Sequence, residues 1–272
     1  MYKKMYKKMY KKILIVSTKD AKKKLPGAKE DVENYKEFFT SLEGGAWDED
    51  EIIEVDDIGV AEMDELVEEL NSMYYSIIAL IGHGSNRGIS PETLFCLNEE
   101  EDYSLWKLDG ARRTVIADCC RVFEERTSRL IKKSSFSVFE DAKLDLREVV
   151  RREYEKSIRH IALKLPYEDS TVFMYACHPG QSARGNSDGG YFTYNLIAGA
   201  KDWSKYSSSN DDMIMDLFLA FDTAKSRMKK NNYRQIPDIE APRIFPLYPF
   251  AVNINRITNQ LSHNDDYFSH LF

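Results

Sequence analysis

A histidine and a cysteine stand at matching ends of two apolar runs. Ser76-Ile-Ile-Ala-Leu-Ile-Gly82 leads into His83-Gly84, and Thr114-Val-Ile-Ala-Asp118 leads into Cys119-Cys120-Arg121. An imidazole beside a thiol can stabilise the thiolate or take its proton, which makes the sulfur a nucleophile for acyl transfer. With five His and four Cys in 272 residues, this pairing is the most specific chemical signal in the chain. Alternation along a strand chooses between the cysteines: Asp118 and Cys120 point one way and Cys119 the other. If Asp118 faces a cleft, Cys120 faces it too and Cys119 packs inward. Gly84 lets a substrate carbonyl come close to the backbone, and the N–H groups of Gly84 and Cys120 are candidates for an oxyanion hole. A plainer reading stands beside this one, since a Cys at a strand end is commonly a small buried hydrophobe and a His before Gly a turn residue.

These residues need a scaffold that brings two strand ends together. Short β-rich apolar runs alternate with amphipathic stretches, which predicts an α/β fold with a mainly parallel sheet. The expected strands are 13–17, 51–55, 76–82, 114–118, 171–177 and 243–248. The expected helices are 28–42, 61–73, 144–163, 192–198 and 211–229. Runs 76–82 and 114–118 are continuously apolar, as central strands covered on both faces should be. Ligands of such sheets gather at the carboxyl ends of the strands, where His83 and Cys120 fall. The segment 18–24 has no phosphate-binding glycine pattern, which weakens a nucleotide-binding reading of the fold. No flexible linker divides the chain, so residues 13–272 read as one domain.

Composition narrows the partners. The net charge is −7, yet the first twelve residues, MYKKMYKKMYKK, carry six lysines and no acid, so the rest of the chain sums to −13. An acidic body argues against nucleic acid as the partner. The basic repeat reads as a disordered tail over residues 1–12. No run reaches the length of a membrane span, and four irregularly spaced cysteines suit a reducing compartment, with the cytoplasm expected. No metal site is expected. The acidic run Glu99-Glu-Glu-Asp102 lacks the alternate spacing and glycine turn of a calcium loop, so calcium stays an option without support, and no cofactor is required.

The order strand, His-Gly, strand, Asp-x-Cys-Arg resembles the caspase-like cysteine peptidases, in particular the metacaspase and paracaspase branch of peptidase family C14. Caspases carry Gln-Ala-Cys-Arg-Gly with the His about 50 residues upstream; here the spacing is 37, and Asp118 stands where caspases have Gln. Leu25-Pro-Gly-Ala-Lys-Glu-Asp31 resembles the family's first strand–helix loop. Tyr175-Ala-Cys-His-Pro-Gly-Gln-Ser182 with Gly189-Gly-Tyr-Phe-Thr193 resembles the opening of the small-subunit half, and Gln235-Ile-Pro237 resembles a Gln-Thr-Pro element. The resemblance implies a three-layer α/β/α sandwich. It also implies a large-subunit-like part over about 13–130, a connecting segment over about 121–170 and a small-subunit-like part over 171–272.

It further implies a cysteine endopeptidase acting on protein or peptide substrates through a Cys120/His83 dyad and a thioester. The residue before the cut, P1, follows from matched positions. The first caspase arginine falls at Leu25, the caspase glutamine at Asp118, and an acid of the metacaspase pocket at Asp31. Two carboxylates aimed at one site suit a P1 Arg or Lys. Arg184 matches the second caspase arginine and opposes this, either turning outward or pairing with Asp188. A basic P1 preference makes Lys132 and Lys133 candidates for self-cleavage, while the helical stretch 144–163 can instead keep the chain single and cover or flank the cleft. Two alternatives stand: a caspase-fold scaffold with little or no activity, and an enzyme cutting after Asp.

Overall fold

The computed structural model describes residues 9–18, 25, 27–86, 92–122, 144–164, 171–243 and 246–269. Lys132 and Lys133 lie outside the described residues, as do residues 1–8. The first half contains β1 (Lys11–Ser17), α1 (Ala28–Thr40), β2 (Ile52–Asp56), α2 (Val60–Asn71), β3 (Tyr75–Ile81), β4 (Gly84–Asn86), β5 (Thr93–Cys96), β6 (Asp102–Ser104) and β7 (Arg113–Asp118). The second contains α3 (Leu144–Ala162), β8 (Val172–Tyr175), β9 (Gly185–Asn186), β10 (Gly189–Gly190), α4 (Tyr191–Tyr206), β11 (Ile214–Asp216), α5 (Leu217–Lys230), β12 (Asp238–Glu240), β13 (Pro249–Val252) and α6 (Ile254–Ser269).

Six strands form the central sheet in the order β12-β8-β7-β3-β1-β2, parallel except for the antiparallel edge strand β12. Strands β3 and β7 are buried along their whole length, as their unbroken apolar runs require. Period-two alternation splits the sheet's side chains between two cores. Ile13, Ile15, Ile77, Ala79, Ile81 and Ile116 face a layer holding α1, α3, α4 and α5. Leu14, Val16, Ile78, Leu80, Val115, Ala117 and Cys119 face α2 and the residues around β5 and β6. The result is the expected three-layer α/β/α sandwich with a mainly parallel sheet.

Several expected boundaries move. In the strand expected at 243–248, the described residues 243 and 246–248 are not in a strand; the sixth strand is Asp238–Glu240, and Pro249–Val252 pairs with β11 in a separate ribbon. Pro246 and Pro249 cannot donate to a central ladder. Helix α5 begins at Leu217 rather than 211, because the Asp216 carboxylate caps it by accepting from Leu219 N at 2.8 Å. Between His83 and Cys120 the chain builds an unforeseen three-stranded sheet, β4-β5-β6, and α6 is a further unforeseen element.

Residues 9–12, expected to lie in a disordered tail, belong to the fold instead. Met9 is buried, and Lys11 opens β1 with its ammonium 2.8 Å from the Glu51 carboxylate and 3.8 Å from the centre of the Trp47 ring. Burial lowers the Lys11 pKa to about 8 despite the pull of Glu51. Helix α3 packs at this same end. Val150, Tyr154, Ile158 and Ile161 enter the core, Tyr154 donates to the Pro249 carbonyl (2.8 Å), and Arg151 pairs with Asp48 (2.9 Å) and Glu51. This is the amino end of the strands, so α3 neither covers nor flanks the end that carries His83 and Cys120.

Candidate active site

In the parallel ladder of β3 and β7, Ile81 pairs with Asp118. Backbone bonding continues past the strand ends: Gly82 N donates to the Asp118 carbonyl (3.3 Å) and Asn86 N to the Val122 carbonyl (3.0 Å). Carried two residues on, the same register sets the backbone of His83 across from that of Cys120. Gly84 is forced to be glycine there. A Cβ at that position would lie 2.7 Å from the Cys120 carbonyl oxygen, 2.8 Å from Cys119 Sγ and 2.9 Å from the Leu94 carbonyl oxygen.

The cysteines separate by alternation. Cys119 belongs to the core on the α2 side of the sheet and is 1% exposed, whereas Cys120 lines a cavity on the opposite side with Asp118 and Ile81. Burial pushes the Cys120 thiol up. Asp118 adds to the rise, while contacts with Ala183 and Ser182 and the charge of Arg184 oppose it. The thiol donates to the Ala183 carbonyl at 3.6 Å. This environment favours the neutral thiol over the thiolate. His83 is half-buried and adjoins the cavity through Gly82 rather than lining it. Cys177 is fully buried with its thiol pushed up to about 12, and His178 is exposed.

The cavity holds about 100 Å³ and is lined by Leu25, Asp31, Asp118, Cys120, Arg184 and Gly190 among others. Both carboxylates are almost fully buried, and both belong to the amino end of α4. Asp31 Oδ2 accepts from Gly190 N (2.7 Å), and Asp118 Oδ2 accepts from Thr193 N (3.1 Å) and Thr193 Oγ1 (2.8 Å). Gly190 is the N-cap and has no side chain to cap with, so acids from α1 and β7 satisfy donors the helix leaves open. A Cβ on Gly189 or Gly190 would collide with the Asp31 or Asp118 carboxylate respectively, so this approach needs both glycines. Burial raises both carboxyls, and for Asp31 the charge of Asp118 adds to the rise. Among the described residues Asp31 Oδ1 is buried without a hydrogen-bond partner.

Over this sheet, residues 10–248 match the Peptidase_C14 caspase domain. The chain belongs to the caspase-domain family of peptidases. No curated protein matches it.

In this caspase domain Arg184 is exposed at the cavity mouth, its backbone N–H held by Gln235 Oε1 (2.8 Å). Among the described residues it makes no ion pair with Asp188, whose carboxylate takes bonds from Asn186 and Ser187 instead. Arg121 is 1% exposed and built into the fold. Its guanidinium lies 3.8 Å from the centre of the Tyr175 ring, donates to Thr93 Oγ1 (2.9 Å) and pairs with Asp238 (3.5 Å). The acidic run 99–102 forms the turn between β5 and β6, with the Glu101 carboxylate on Val60 N (3.3 Å) at the start of α2. Among the described residues no three metal-ligating side chains gather, and no helix is long and apolar enough to cross a membrane. Thr193 and Tyr35, whose hydroxyl reaches Thr193 Oγ1 at 3.2 Å, were not foreseen as parts of the site. The Gly189–Thr193 motif contained the threonine, but its donor role depends on α4 starting at Tyr191.

Proposed function

We propose that this caspase domain is a cysteine endopeptidase that cuts after Arg or Lys. The observation that carries the reading is Asp31 Oδ1, which has no hydrogen-bond partner among the described residues and is held with Asp118 in the cavity beside the Cys120 thiol. Leaving a buried polar group unsatisfied costs on the order of 1–3 kcal/mol, more for a charge. A guanidinium or ammonium entering the cavity supplies the missing donor and balances the negative charge of the paired acids.

In this reading the scissile carbonyl seats over Cys120. His83 takes the thiol proton as the sulfur–carbon bond forms, and the N–H groups of Gly84 and Cys120 receive the developing oxyanion. The carbon–nitrogen bond then breaks, and the imidazolium gives its proton to the departing amine. Water, deprotonated by His83, attacks the thioester, and Cys120 leaves as thiolate and recovers its proton. These steps use groups of the chain, its protein or peptide substrate and one water molecule. The same preference makes Lys132 and Lys133 candidate self-cleavage sites, and a Lys132→Ala/Lys133→Ala variant that still splits at that place would exclude them.

The test is a complex peptide mixture incubated with the protein and with Cys120→Ala, with and without calcium, and new carboxyl termini mapped by mass spectrometry. New termini ending in Arg or Lys, absent with Cys120→Ala, are expected. Termini ending in Asp would transfer the specificity to Arg184. A folded protein that cuts nothing in either condition would be a scaffold.

A further inference from the structure

The two acids of the cavity are not equivalent. Asp118 receives two donors on Oδ2, both from Thr193, and the hydroxyl of Thr193 is itself within hydrogen-bond distance of the buried Tyr35 hydroxyl. Since Thr193 Oγ1 gives its proton to Asp118, the Tyr35 O–H is the donor to Thr193. This makes a directed chain from Tyr35 through Thr193 to the carboxylate. Asp31 receives one donor, from Gly190 N, and its second oxygen is buried with none. Donated hydrogen bonds favour the ionised form of an acid, and an unsatisfied buried oxygen favours the neutral form.

We propose, resting on the basic-P1 reading, that Thr193 is a positioning residue that fixes Asp118 as the standing negative charge of the specificity pocket and leaves Asp31 as the carboxyl holding the proton when the pocket is empty. A P1 guanidinium or ammonium then meets one carboxylate already charged and aimed. Asp31 loses its proton to solvent as the cation arrives, so binding of a basic substrate releases a proton. Burial raises both acids, and the hydrogen bonds they receive set them apart. The titratable groups that feel the Asp118 charge are Asp31 and Tyr35 from α1, Cys119 and Cys120 beyond β7, and Cys177 beyond β8, with Arg184 at the mouth of the same cavity. None of them donates a hydrogen bond to Asp118 Oδ2, so Thr193 is the residue whose removal changes that acid.

The test compares Thr193→Val, Thr193→Ser and the unmodified protein. In Thr193→Val the backbone donor stays and the hydroxyl is lost. For peptides with P1 Arg, KM is expected to rise about tenfold, the worth of a charge-assisted hydrogen bond, with kcat little changed. The acid limb of kcat/KM is expected to move to higher pH, and Thr193→Ser should restore both. In parallel, the Asp118 carboxyl is titrated by carbon NMR in the ligand-free protein, where Thr193→Val should titrate at higher pH. An unchanged Asp118 titration in folded Thr193→Val would overturn the proposal even if the protein cuts after Arg. A protein that titrates as expected but hydrolyses no basic peptide would leave the proton assignment standing and refute the peptidase reading.

Discussion

Gly84 sits so near Cys120 that a single added carbon would lie 2.7 Å from the Cys120 carbonyl oxygen. The histidine loop packs against the cysteine loop with no room for a side chain at Gly84. Gly84→Ala must therefore push the two loops apart and displace the proposed oxyanion donors. Loss of one such donor costs about 100- to 1,000-fold in kcat. A fall of that size, with the circular dichroism spectrum unchanged, is the expected outcome, and full activity in Gly84→Ala would remove this contact from the account.

Asp31 couples function to a stability cost. Its folded pKa is raised, so the native state holds the proton more firmly than the unfolded chain. The destabilisation is absent below the unfolded pKa, grows as pH rises toward the folded pKa, and is fully present above it. Asp31→Asn removes the charge and can keep the bond from Gly190 N. Urea unfolding at neutral pH should show a gain on the order of 1–3 kcal/mol, shrinking at acidic pH, together with loss of cleavage after Arg. Equal stability at both pH values would show that Asp31 is not a buried, strained acid.

The raised Cys120 thiol predicts slow alkylation of the resting protein. An acid with a raised pKa is ionised only at higher pH, so the rate with iodoacetamide should be low near neutrality and climb as pH rises. His83→Ala should leave that free-enzyme rate nearly unchanged while abolishing peptide turnover. A neutral-pH rate typical of a preformed thiolate, lost in His83→Ala, would instead establish a resting ion pair.

Arg121 follows Cys120 in sequence but is locked between Tyr175, Thr93 and Asp238. Arg121→Ala should cost on the order of 1–3 kcal/mol, from the lost hydrogen bonds and ring packing of a buried guanidinium whose acid partners stay partly exposed, and any activity left should keep its P1 preference. An altered preference at unchanged melting temperature would return Arg121 to the substrate site.

Much of this was legible in the sequence because period-two alternation is strict in a buried parallel sheet. It separates Cys119 from Cys120 and puts Asp118 beside Cys120 without any coordinates. What was not legible depends on where elements begin and on long-range capping. Thr193 donates to Asp118 because α4 starts two residues before it, after a glycine N-cap that leaves its donors to acids from α1 and β7. The edge strand at Asp238–Glu240 is three residues long with one apolar side chain, too weak a pattern to outcompete the more apolar run at 243–248. The buried Lys11 looked like part of a solvated repeat, because nothing local announces Glu51 or Trp47 as its partners.

The central claim is that two buried carboxylates beside Cys120 select a basic P1 residue. Its most direct measurement is kcat/KM for otherwise identical peptides bearing Arg, Lys or Asp at P1, on the protein and on Asp31→Asn. The account predicts hydrolysis after Arg and Lys, none after Asp, and a drop of at least tenfold for the basic peptides in Asp31→Asn. Hydrolysis of the Asp peptide alone, or indifference of the Arg peptide to Asp31→Asn, would contradict it.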